Sequence, residues 1–176
     1  DGMRFVDCDM HIMEPVDLFE RYLEPKYRER VSLPVGADGR PKRGHIIIDG
    51  EPTTFDVEIQ QHRKPLPSTA KSETSQPLSG SRIAAGGRLD FAIERNYSPE
   101  AQIMGMVLEG IDIAVLFPTM GLSLLSRNNM EPRLSLALAQ AYNNWIHEFC
   151  QYSPDQMKFA AMLPLHDVNL ACQELV

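Results

Sequence analysis

No run of apolar residues in this chain approaches the length that crosses a bilayer, so no membrane-spanning helix is expected. Basic residues are in short supply: 17 Lys and Arg stand against 24 Asp and Glu, giving a net charge of -7. A phosphate-binding face needs a basic excess, so nucleic acid is not an expected partner. The basic clusters Lys26 to Arg30 and Arg40 to Arg43 are interrupted by other residue types and read as solvated surface. Cysteine is scarce as well. Cys8, Cys150 and Cys172 are too few and too widely spaced for a disulfide framework or a C-x-x-C metal site. Each has apolar neighbours and reads as a buried thiol, and reducing, cytoplasmic conditions follow as the default. No glycine series stands between a strand and a helix as G-x-G-x-x-G, so a nucleotide cofactor is not indicated. No signal peptide is visible, although a chain that begins at Asp1 leaves a trimmed start open.

What the chain does have is enough apolar residues, 43% of 176, for one core. Phe5 to Cys8 reads as a buried strand, and a helix opens near Pro15 with Leu18, Phe19, Tyr22 and Leu23 on its apolar side. Pro25 ends that helix or starts a second short one through Tyr27 and Arg30. From about 33 to 98 the texture changes. Asp49-Gly50 between Ile46–Ile48 and Thr53–Phe55 predicts a small hairpin. The Pro-, Ser- and Gly-rich stretch Lys64 to Gly87 reads as a long irregular loop over a core, or as a linker. Helical spacing returns at Pro99 to Leu108 and stops at Glu109-Gly110. Ile113 to Phe117, ended by Pro118, suits a parallel strand covered on both faces. Pro132 to Cys150 predicts a long amphipathic helix, Lys158 to Leu165 a strand, and Val168 to Val176 a further helix.

Set the insertion at 33–98 aside and the order is a βαβαβα series, whose strands end at Asp9, Pro118 and Pro164 and would share one mouth. Three strands cannot close a barrel, so the expected class is α/β, the N-terminal portion of a (β/α)8 barrel, and the chain reads as part of a longer protein. Open strand edges also favour a homo-oligomer of the complete protein.

The chemistry concentrates in Asp9-x-His11-x-x-Glu14. A carboxylate and an imidazole two residues apart in an extended segment point to one side and offer two donors to a divalent ion. The same residues also suit a turn or a helix cap, and two donors fall short of the three that catalytic zinc sites take. Glu14 is either an acceptor or substrate contact that orients the site, or the first-turn carboxylate of the following helix. Asp7 reads as a partner of neighbouring backbone. His166 follows the third strand and is a candidate acid or base at the mouth. His45 and His62 lie in the insertion, and His147, Trp145 and Phe149 on the long helix read as surface or packing.

Several blocks together resemble the amidohydrolase-related (amidohydrolase 2) family, which includes aminocarboxymuconate-semialdehyde decarboxylase. They are Val6-Asp7-Cys8-Asp9-Met10-His11-Ile12-Met13-Glu14-Pro15 with Asp17 to Leu23, Gly110-Ile111-Asp112 running into Ile113 to Thr119, Ala141-Tyr142-Asn143-Asn144-Trp145, and Leu163-Pro164-Leu165 near Asp167. The resemblance implies a metal-dependent TIM barrel, covers its first three strand–helix units, and makes Asp9 and His11 the ligands of zinc or a similar ion, while Glu14 and His166 are catalytic candidates by their place in the sequence alone. The family commonly has His-x-His where this chain has Asp9-Met10-His11, and its later histidines and last aspartate have no counterpart here. The implied reaction is hydrolysis of a small amide, ester or lactone by water activated at the ion. Loss of CO2 from an aromatic or enoic carboxylic acid, without redox, is the alternative. An inactive or binding-only relative is the third reading.

Overall fold

A computed structural model describes residues 2–33, 46–53 and 90–176. In chain order these form β1 (Val6–Ile12), α1 (Leu18–Tyr22), a 3-10 turn (Pro25–Arg30), β2 (Val31–Ser32), β3 (Ile47–Ile48), β4 (Glu51–Pro52), α2 (Asp90–Glu94), α3 (Pro99–Glu109), β5 (Ile113–Pro118), a second 3-10 turn (Gly121–Ser123), α4 (Pro132–Cys150), β6 (Met157–Phe159) and α5 (Val168–Leu175).

Two sheets result. The main one is parallel in the order β1-β5-β6, with α4 between β5 and β6 as a parallel crossover needs. The smaller one is the antiparallel meander β2-β3-β4. Its turn is Asp49-Gly50, both residues at positive φ (54° and 79°), the backbone that a two-residue primed turn demands. The predicted hairpin therefore forms, with Val31–Ser32 added as a third strand. Residues 34–45 and 54–89 lie outside the described residues, and with them most of the expected insertion, the Lys64 to Gly87 stretch, His45 and His62.

The core sits between the main sheet and α4. Ala114, Leu116 and Met157 meet Leu134, Leu138, Ala141, Tyr142, Trp145 and Ile146, joined by Leu18, Phe19 and Leu23 from the α1 segment. The apolar side read for α4 is the side that is buried. Each large aliphatic or aromatic side chain so buried contributes roughly 1.5–3 kcal/mol. Caps agree with the sequence. Ser98 Oγ accepts from Ala101 N at the start of α3, and Gly110 closes that helix in the left-handed region (φ 72°). Asp167 caps α5 through Asn169 N and Leu170 N.

Four readings are corrected. Phe5, Val6 and Cys8 are exposed rather than buried, because β1 has only β5 as a ladder partner among the described residues. Cys172 is exposed too, on α5, so only Cys150 is a buried thiol. The third strand is short. Ala160 N still donates to Leu116 O, but the ladder then meets Pro118, which has no N–H to offer. Lastly, β5 is fully covered on one face only. Ala114, Leu116 and Pro118 are buried, while Ile113, Val115 and Phe117 are half-buried.

Candidate functional site

The end of β1 is where polar side chains gather. The strand is not regular there. Between Asp7 and Met10 it takes three steps against two on β5, so one extra residue is accommodated as a bulge. Asp7 Oδ1 accepts from Asp9 N at 2.9 Å and holds that irregularity, as expected of a backbone partner. Past the bulge the register is restored, with His11 opposite Phe117 and Ile12 opposite Pro118.

Asp9 and His11 end up side by side. His11 Nε2 lies 3.8 Å from Asp9 Oδ1, with side chains 44% and 83% exposed. The other ring nitrogen, Nδ1, is 2.7 Å from the carbonyl oxygen of Pro118. A carbonyl can only accept, so Nδ1 carries the proton and donates, and the lone pair of a neutral ring is left on Nε2. That is the tautomer of a metal-binding histidine whose remote nitrogen is tied to backbone. The 3.8 Å gap is too long for a hydrogen bond. Two donors each about 2.0–2.2 Å from one ion lie no more than about 4.3 Å apart, so the pair fits two positions of one coordination shell. Among the described residues no group of three His, Cys, Asp or Glu is disposed to hold an ion. Phe117 stands beside His11, ring centroids 6.4 Å apart and tilted.

Glu14 is an acceptor, as one reading of it has it, but for the backbone of another segment and not as the first-turn carboxylate of its own helix. It is 4% exposed, three residues ahead of α1's N-cap position Asp17, and its carboxylate turns to the chain beyond β5. Oε1 accepts from Thr119 N (2.9 Å) and Gly121 N (2.8 Å), and Oε2 from Met120 N (3.0 Å). It thus serves the amides that open the second 3-10 turn rather than its own helix. Burial raises the pKa of this carboxyl, against the pull of the N–H groups of Gly121, Met120, Thr119 and Glu14 itself. Gly121 is needed for the approach. A Cβ there would lie 3.1 Å from Glu14 Oε1, 3.0 Å from Pro118 Cβ and 2.5 Å from Met162 Cε.

His166 joins other elements. Its Nε2 donates to Arg127 O (2.6 Å) and its Nδ1 accepts from the Ser135 hydroxyl (2.8 Å), so both ring nitrogens are engaged. These bonds pin the segment after β6 to the start of α4. His147 is exposed, with its ring 6.4 Å from that of Phe159 and Nε2 facing Gln151. Sequence reasoning missed the partners that matter most here, the Pro118 carbonyl and the amides of Thr119, Met120 and Gly121. All are backbone atoms, and the only trace of them in the sequence is a strand ended by proline with a glycine three residues on.

The fold class is mixed α/β with a parallel sheet whose strand ends carry the site. No family model matches the chain, and no curated protein matches it. Among solved structures, it is similar to the crystal structure of an amidohydrolase from Mycobacterium avium subsp. paratuberculosis K-10, at a TM-score of 0.60 and 20% identity, over 98% of this chain and 46% of that one. At that identity the likeness establishes a shared fold, and the chain spans less than half the length of this neighbour.

Proposed function

We propose that this chain carries part of the active site of a metal-dependent hydrolase of the amidohydrolase-related type, in which its three parallel strands are part of a (β/α)8 barrel. The observation that carries the reading is the Asp9–His11 pair, 3.8 Å apart, with His11 Nδ1 tied to Pro118 O and Nε2 free for an ion. The likeness in fold to an amidohydrolase supports it. A divalent ion of the zinc type, held by Asp9, His11 and donors outside the described residues, would polarise water and a carbonyl oxygen of a small amide, ester or lactone. Asp9 contributes negative charge that favours the cation. His11 contributes a neutral nitrogen already in the required tautomer, so no proton has to leave it when the ion binds. Phe117 gives His11 an apolar neighbour on one side. In this reading the partners are a small-molecule substrate and further copies of the same chain, and the setting is the cytoplasm.

The test is zinc stoichiometry and turnover of the protein and of His11→Ala, each beside a thermal melt. A loss of bound zinc at an unchanged melting temperature is the expected result. Wild-type protein that takes up no stoichiometric divalent ion would remove the reading. A panel of amides, esters and lactones, run against aromatic carboxylic acids scored for CO2 release, separates hydrolysis from decarboxylation.

A further inference from the structure

Four consecutive residues, the last of β5 and the three that follow it, hold the segment at the end of β1. Pro118 gives its carbonyl to His11 Nδ1, and Thr119, Met120 and Gly121 give their amides to Glu14. The two anchors, His11 and Glu14, are three residues apart, and they hold the Pro118–Thr119 peptide group by its two ends, with Glu14 also taking the next two amides. We propose that Glu14 is a positioning residue for His11: by fixing the Pro118–Gly121 turn, its carboxylate aims the Pro118 carbonyl at Nδ1 and thereby sets which imidazole nitrogen is presented to the site.

The geometry argues for this over a role at the reacting atoms. At 4% exposure, with both oxygens turned to backbone N–H groups, the carboxylate does not face the side on which Asp9 and His11 are exposed. Only an acceptor with two oxygens serves three successive amides, since one oxygen takes Thr119 N and Gly121 N and the other Met120 N. An amide in its place turns an NH2 toward at least one of those N–H groups, so a bond becomes a donor–donor conflict. The turn is also tight. A Cβ added at Gly121 would come within 3.0 Å of Pro118 Cβ and 3.1 Å of Glu14 Oε1, so the two sides of the turn lie close together there. Loss of the Glu14 contacts therefore moves the Pro118 carbonyl, and a ring without that acceptor is free to carry its proton on Nε2, where it cannot bind an ion.

The inference rests on the proposed metal role of His11 for its consequence, but its test does not need the metal. Histidines of the full chain are labelled with 15N, and the His11 ring signals are assigned by their loss in His11→Ala. Spectra are read in zinc-free protein at a pH where the ring is neutral. Wild type should show protonated Nδ1 and bare Nε2. Glu14→Gln should shift the population toward protonated Nε2, and in a separate zinc titration affinity should fall about 10- to 100-fold with the melt still cooperative. Glu14→Asp, one methylene shorter, should lie between the two. An unchanged tautomer in a folded Glu14→Gln protein overturns the proposal, as does protonated Nε2 in wild type. If both variants lose the fold altogether, Glu14 supports the whole molecule and not His11, and the assignment falls. Wild type with the expected tautomer but no zinc binding would instead sink the metal reading and leave the positional one standing.

Discussion

Tyr142 carries the most exceptional polar atom in the described core. It is 1% exposed, and its hydroxyl has no hydrogen-bond partner among the described residues. It lines a cavity of about 10 Å3 with Glu14, Leu18, Phe19, Met120 and Leu124. Burial, with the nearby Glu14 charge, pushes this phenol far above its usual range. A buried hydroxyl without a partner costs about 1–3 kcal/mol in desolvation. Tyr142→Phe keeps the ring stacked edge-on against Trp145 (centroids 5.6 Å apart) and removes only that cost. The variant should melt at or above the wild-type temperature. A drop in stability of about 1 kcal/mol or more would show that the hydroxyl is bonded in solution.

At the scale of elements, the small meander is held to the main body by two arginines. Arg30 donates to both oxygens of Asp49 (2.7 and 2.9 Å) in the hairpin turn and to Glu131 (2.6 Å), the residue before α4. Arg127 donates to Ile48 O (2.7 Å) and Glu51 (3.0 Å). The guanidinium of Arg30 holds the Asp49 carboxyl below its ordinary value of 3.8. A folded pKa below the unfolded one means stability that is fully present above 3.8 and is lost as pH falls through the lower folded value. Asp49→Asn is the suitable probe, because Asn tolerates the positive φ of that turn position. The gap in melting temperature between wild type and this variant should be open and flat near neutrality, then close in acid. A gap that stays constant into strong acid would show that the ion pair is not its source.

On the scale of the whole molecule, the three cysteines report on layers. Cys8 lies on β1, an edge strand among the described residues, and Cys172 on α5, both exposed, while Cys150 is packed at the end of α4. Burial pushes the Cys150 thiol up to about 11, so at neutral pH it is both covered and protonated. Two thiols should therefore react with an aromatic disulfide reagent in native protein, and the third only on unfolding, at the rate the core opens. Three fast equivalents would mean that α4 is not docked on the sheet. Among the described residues β1 has no second ladder partner, and Phe5 and Val6 stand at 59% and 52% exposure, the side on which a closed barrel would add its next strand.

The sequence by itself determined the longer local elements and their order, though not β2, α2 or the second 3-10 turn. Helix bounds at Pro99–Glu109 and Pro132–Cys150 follow from caps, a closing glycine and the spacing of apolar residues, all of which act within a few positions. The Asp49-Gly50 turn was legible for the same reason, and the parallel order of the main strands from the alternation of strands and helices. Two-residue spacing also put Asp9 and His11 within reach of each other, with the bulge between Asp7 and Met10 as a detail it could not show. Only the tertiary structure decided what the polar side chains bind. Glu14 meets amides 105 to 107 residues away, His11 a carbonyl 107 away, and His166 a hydroxyl 31 and a carbonyl 39 away. Those partners are backbone groups or a common serine, which no residue pattern marks. Burial of β1 was equally beyond the sequence, because an apolar run records that a strand can be covered and not how many neighbours cover it.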